Sequence, residues 1–173
     1  IEALWAARNL KFNPISLRQA LLDDSSMAGA RELKIKQPSG SCGGALIEKD
    51  LSTWQLRNLG IDEILSLSAR IDRDFGISPD TVTAAVSPFL LQNMGFPKFA
   101  REFLVGVPEP AIIVPGSAHY SFPKGAAILG LGADQVHLAP LDIHGRMDVA
   151  WVRDTIEEFV REKRPVITVA GIL

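Results

Sequence analysis

AIIVPGSAHYSFPKGAAILGLG, residues 111–132, decides how the chain is read. Ile112, Ile113 and Val114 ahead of Pro115 make a short apolar run closed by a turn, the pattern of a strand buried on both faces. From about Phe122 to Leu131, small and apolar residues recur at the spacing of a helix packed on a sheet. Gly116, Ser117, Ala118, His119, Tyr120 and Ser121 lie between the two. In an open α/β sheet ligands bind at the turns leaving the carboxyl ends of the strands, so His119 is the first candidate for chemistry. An imidazole there can stack on a planar ligand, donate a proton or bind a metal; the alternative is a loop histidine satisfied by backbone hydrogen bonds.

Working downstream, QVHLAP (135–140) reads as a second strand and LDIHGR (141–146) as a loop. Residues 147–163 form an amphipathic helix, with Val149, Val152, Ile156, Phe159 and Val160 inward and Arg153, Glu157, Glu158 and Arg161 outward. Residues 166–170 make a third strand. The order β-α-β-α-β, joined by right-handed crossovers, predicts three parallel strands with helices against them and an α/β fold class.

Upstream, the chain reads as mainly helical. A helix over residues 1–10 is expected to break at Asn13-Pro14, with Ser16 capping a second one over 17–23. Asp23 and Asp24 at its end read as solvated acids rather than a catalytic pair. Residues 36–46 are rich in Gly, Ser and Pro around Cys42 and read as a loop; no strand precedes it to make a phosphate cradle, and no basic neighbour lowers the Cys42 pKa. Further helices are expected over 51–59, 61–75, 78–91 and 98–104, then a linker over 107–110. Residues 1–110 and 111–173 are therefore expected to be the helical and sheet parts of a single incomplete domain.

Of the 173 residues, 47% are hydrophobic and 22% charged, as in a globular protein. A net charge of -2 without a basic stripe argues against nucleic acid and anionic membrane as partners. One cysteine excludes an intrachain disulfide and fits a reducing, cytoplasmic setting. No apolar run reaches the roughly 18–20 residues of a membrane helix. Ile1 stands inside a helical pattern and PVITVAG near the other end is a buried type of strand, so an internal piece of a longer polypeptide is expected.

Other candidates are weaker. Ser117 and Ser121 lack the Gly-x-Ser-x-Gly elbow of a nucleophile. Gly130-Leu131-Gly132 follows a helix and precedes a strand, which suits a helix cap rather than a dinucleotide loop. His137 in a strand and His144 in a loop read as structural, and neither falls at ligand spacing from His119, so no metal site is expected. Lys124 could form an imine only if its side chain turned back from the helix.

VPGSAHYSFPKGAAILGLGADQVHLAPLDIHGRMDV resembles the central segment of the group II pyridoxal-phosphate-dependent amino-acid decarboxylases of fold type I, nearest the bacterial tyrosine decarboxylase branch. The resemblance is carried by His119-Tyr120-Ser121, Lys124 with Ala126, Gly130-Leu131-Gly132, and Asp142 followed by Arg146-Met147-Asp148. LWAARNLKFNPISLR is similar to the helix after the family's phosphate-gripping motif, and PVITVAGIL to a strand leading into its Gly-Thr-Thr or Gly-Ser-Thr turn.

The resemblance implies part of a fold type I large domain and pyridoxal 5'-phosphate as cofactor, with His119 stacked on its ring and Ser121 beside it. It also implies a carboxy-lyase converting an amino acid, aromatic and tyrosine-like in the family's pattern, to its amine and CO2, and a homodimer when complete. The family's phosphate motif would precede Ile1, and the aspartate and lysine that hold the cofactor would follow Leu173, so these residues alone are expected to be inactive. Another fold type I enzyme, an aminotransferase or lyase, or a non-catalytic interaction domain is the alternative.

Overall fold

The structure, a computed structural model, describes residues 1–36 and 44–171. They divide into two compact units, Asn9–Val105 and Ile1–Arg8 with Gly106–Leu173.

α1 (Glu2–Asp23) contributes its first turns to the second unit and the remainder to the first. It runs through Pro14, and the expected break does not occur. An interior proline costs about 3 kcal/mol through a lost donor and a clash with the preceding turn. Phe12, Ile15, Leu17, Ala20 and Leu21 are nevertheless all at most 2% exposed. Each large apolar side chain contributes roughly 1.5–3 kcal/mol on burial, so packing outweighs the proline. Ser16 accordingly caps nothing: it lies inside the helix, and its hydroxyl donates to the Phe89 carbonyl at 2.8 Å. Arg31 returns to close the carboxyl end, donating to the Leu21 and Leu22 carbonyls, each at 2.8 Å, where a cation also suits the helix dipole.

Asp24 opens a 3-10 turn over Ser25–Ala30, its carboxylate accepting from the Ser26 N–H and hydroxyl. β1 (Lys34–Ile35) and β2 (Ala45–Leu46) then pair antiparallel, where the sequence suggested no strand; two residues carry too little alternation to register. Cys42 and most of the glycine-rich loop lie outside the described residues. A Ser52–Gln55 capping box opens α2 (Thr53–Arg57). α3 (Ile61–Phe75) matches its expected bounds, buries Ile64, Leu67 and Ile71, and ends on Gly76 at φ 66°. α4 (Pro79–Val86) starts at the Ser78 cap but stops short of residue 91, giving way at Ser87-Pro88 to a 3-10 turn and then α5 (Leu91–Met94). α6 (Phe96–Phe103) begins two residues before the expected start because Pro97 falls in the first turn, where its missing N–H costs nothing. Phe12, Phe99 and Phe103 stack edge to face at 5.5 and 5.0 Å in the core of this unit.

In the other unit β3 (Ala111–Pro115), α7 (Ser121–Ile128), β4 (Val136–Ala139), α8 (Val149–Arg161) and β5 (Val166–Val169) alternate as the sequence predicts. The strands form a parallel sheet in the order β4-β3-β5, so the α/β reading of this part holds. β3 is buried along its whole length. Ala111, Ile113 and Ala139 pack against Val152 and Phe159 of α8, and alternation turns Ile112 and Val114 to the opposite face. The first turns of α1 lie on α7: a Cβ at Gly125 would stand 3.1 Å from the Leu4 side chain. At the end of α7, Arg8 Nη1 donates to the Leu129 carbonyl at 2.8 Å.

Gly130 at φ 73° closes α7 in a Schellman turn, with the Leu131 N–H on the Ala126 carbonyl and the Gly130 N–H on that of Ala127, as the helix-cap reading expects. α8 ends the same way but places Lys163, at φ 55°, where glycine is usual. No helix among the described residues is long and apolar enough to cross a membrane.

Candidate functional site

The carboxyl end of β3, the central strand, opens directly into the turn that carries His119. The Gly116 N–H continues the ladder by donating to the Ala139 carbonyl at 2.8 Å. A Cβ at Gly116 would sit 3.2 Å from that same oxygen, so the close approach favours glycine. The Ala118 N–H donates to the Pro115 carbonyl at 2.8 Å and tightens the turn. The His119 and Tyr120 carbonyls then accept from the Phe122 and Lys124 N–H groups at 3.1 and 3.2 Å, which starts α7. His119 is thus held through its backbone while its side chain stays exposed.

His119 Nδ1 accepts from the Ser121 N–H at 3.3 Å. In the neutral ring this leaves the proton on Nε2, pointing away from α7's first turn. Ser121 is half-buried, and what it offers the imidazole is its main-chain N–H. The Tyr120 ring lies 4.1 Å from that of His119, tilted by 45°. In the sequence Tyr120 stands only as the middle of the His119-Tyr120-Ser121 motif, with no role of its own; the turn is what brings the rings together. Ser117 and Lys124 are exposed on the same turn and the helix after it.

The remaining candidates do not join this turn. His137, opposite Ile113 in β4, packs edge-on to Phe159 at 5.0 Å. Its Nε2 is buried without a hydrogen-bond partner among the described residues, and burial, then the Arg164 charge, hold the imidazole below its usual pKa. Arg164 lies 4.8 Å over the same Phe159 ring, donating to the Glu109 carbonyl at 3.1 Å and to the Gln135 amide oxygen. His144 donates its N–H to Asp142 Oδ1 at 2.8 Å. Asp142 also accepts from the Arg146 N–H at 2.9 Å and Nε at 2.8 Å, contacts that keep its carboxyl below the usual range. Asp148 accepts from the Ala150 and Trp151 N–H groups and caps α8. Asp142, Arg146 and Asp148 therefore have local work, building a hairpin and a helix start. Among the described residues no three His, Cys, Asp or Glu side chains gather as metal ligands.

No protein-family profile matches the chain. Curated relatives do. The chain is 28% identical to the L-tyrosine decarboxylase of Levilactobacillus brevis over 99% of its own length and 21% of that enzyme's. Over 80 residues, 46% of the chain, it is 49% identical to a Methanothermobacter thermautotrophicus protein named "Probable L-tyrosine/L-aspartate decarboxylase", again 21% of that protein. Among solved structures, mouse CSAD aligns at 32% identity over 46% of this chain and 16% of its own, with a TM-score of 0.36. The chain is similar to a segment of the group II amino-acid decarboxylases, in agreement with the motif resemblance. Among these relatives, tyrosine decarboxylases match along nearly its whole length, and it spans about a fifth of theirs.

Proposed function

We propose that this chain is a segment of the large domain of a fold type I, pyridoxal-phosphate-dependent decarboxylase that converts an aromatic amino acid, tyrosine foremost, to its amine and CO2. The observation that carries the reading is similarity to L-tyrosine decarboxylases along 99% of the chain, with His119 at a strand end where α/β folds take ligands. The residues fit the cofactor: an exposed, flat imidazole, fixed at Nδ1 by the Ser121 N–H, suits stacking on a planar heteroaromatic ring. When bound, pyridoxal phosphate supplies an electron sink that lets the bond from the α-carbon to the carboxylate break.

His119 sets the tilt of whatever ring lies on it, and its Nε2–H is the proton it presents to the substrate. Ser121 positions His119 through its N–H, and Gly116 keeps the turn close to the sheet. The complete enzyme is a homodimer in this reading, and the 173 residues alone are inactive. The relative named for both tyrosine and aspartate makes aspartate the second substrate to try.

The test supplies the full-length protein with pyridoxal phosphate, a 2-keto acid as amino-group acceptor, and either L-tyrosine or L-aspartate, then separates amine from the substrate's own keto acid by chromatography. Amine with stoichiometric CO2 supports the reading. Keto acid would point to the aminotransferase alternative, and no product from either substrate would reject a decarboxylase for these amino acids.

A further inference from the structure

The exposed His119 side chain is restrained by two neighbours of unequal strength. The Ser121 N–H reaches Nδ1 at 3.3 Å. That is beyond the usual range of about 2.7–3.2 Å for a main-chain donor, so this bond alone fixes the imidazole loosely. The χ2 torsion of a histidine has broad wells, and an exposed ring swings through them on the ps–ns scale unless something lies against it. The Tyr120 ring does lie against it, with centres 4.1 Å apart and planes tilted by 45°. Aromatic pairs commonly stand about 4.5–7 Å apart, and rings that come closer must overlap rather than meet edge-on. The phenol ring therefore covers one side of the imidazole.

Adjacency in the chain does not by itself produce this contact. Tyr120 already has helical backbone angles, φ -55° and ψ -13°, and consecutive side chains on a helix do not face each other. The rings meet because His119 still belongs to the turn. Nor is Tyr120 there to fill the core, since it is 66% exposed and its ring meets no other aromatic ring among the described residues.

We propose that Tyr120 is a positioning residue for His119: its ring holds the imidazole from one side and leaves the opposite side to the ring of pyridoxal phosphate. The inference rests on the decarboxylase reading and adds to it the residue that sets the plane of the imidazole. With the Ser121 N–H at its edge and Tyr120 against one face, His119 meets the cofactor already oriented, and less side-chain freedom is lost on binding. The Tyr120 hydroxyl has no part in this. What the residue supplies is a flat face, which phenylalanine shares and leucine does not.

The experiment titrates the full-length protein, freed of cofactor, with pyridoxal phosphate and records the visible circular dichroism of the loaded form. Wild type is compared with Tyr120→Phe, Tyr120→Leu, Tyr120→Ala, His119→Ala and the double variant with alanine at both positions. Tyr120→Phe is expected to keep the wild-type spectrum and a Kd within about twofold, while Tyr120→Leu and Tyr120→Ala weaken binding by roughly three- to tenfold, the worth of one aromatic pair, and change the dichroism. In the His119→Ala background, removing the Tyr120 ring is expected to cost nothing further, because Tyr120 acts through the imidazole. Wild-type binding and dichroism in Tyr120→Ala would overturn the proposal. So would a Tyr120→Phe variant as weak as Tyr120→Ala, which would assign the effect to the hydroxyl, or a further loss on removing Tyr120 from His119→Ala. A wild type that takes up no pyridoxal phosphate would overturn the decarboxylase reading as well, whereas the other three results strike this inference alone.

Discussion

Arg8 and His137 show how much a single side chain settles in this fold. Arg8, 6% exposed, carries its charge to the Leu129 carbonyl at the negative end of α7. Replacing it by Met leaves that carbonyl buried without its donor, and a loss of about 1–3 kcal/mol is expected in urea unfolding. His137 sits on Phe159 with its Nε2 unbonded, and Arg164 over the same ring. Its folded pKa is lower than its unfolded one, so the unfolded chain takes up a proton that the folded one refuses. Its contribution is therefore complete above about pH 6.5, the unfolded value, and is lost as pH falls from there through the folded pKa. His137→Phe is expected to flatten the stability profile across that window, and an unchanged slope would refute the assignment. Of these roles only the bland reading of His137 was visible beforehand. Nothing in the spacing around Arg8 tells which carbonyl, 121 residues away, it meets.

Among the elements, those written by periodicity were legible and those decided by tertiary contact were not. α3, α8 and the three parallel strands carry clear patterns of 3.6 or continuous apolar residues and lie where expected. α1 was misread because a proline normally ends a helix, and only the burial of the residues around Pro14 shows that this helix is held from outside. The Schellman turns make a matched pair: Gly130 closes α7, whereas Lys163 closes α8 at φ 55°. A side chain in that conformation costs roughly 1–2 kcal/mol that glycine avoids. Lys163→Gly is therefore expected to stabilise the protein by about 1 kcal/mol, after allowing for the greater freedom of glycine in the unfolded chain. Chemical denaturation checks it, and a destabilised variant would show that the lysine side chain holds a contact worth more than the strain.

At the scale of the whole molecule, the α/β order of residues 111–169 leads to the parallel sheet, and the sheet's central strand leads to the His119 turn. That much of the site could be reached from the sequence, because strand, turn and helix are consecutive there. The hydrogen bond between His119 Nδ1 and the Ser121 N–H could not, since it depends on how the turn enters α7. The decarboxylase reading rests on relatives about five times as long, so its decisive test belongs to the full-length protein. The most direct measurement is CO2 release from L-tyrosine by that protein with pyridoxal phosphate, for wild type, His119→Phe and His119→Ala. His119→Phe keeps a flat ring but no proton, and His119→Ala keeps neither. A fall in kcat/KM of about 10²–10⁴ is expected in both, with cofactor affinity weakened only in His119→Ala. Wild-type turnover that survives both substitutions unchanged would contradict the placement of His119 on the cofactor ring.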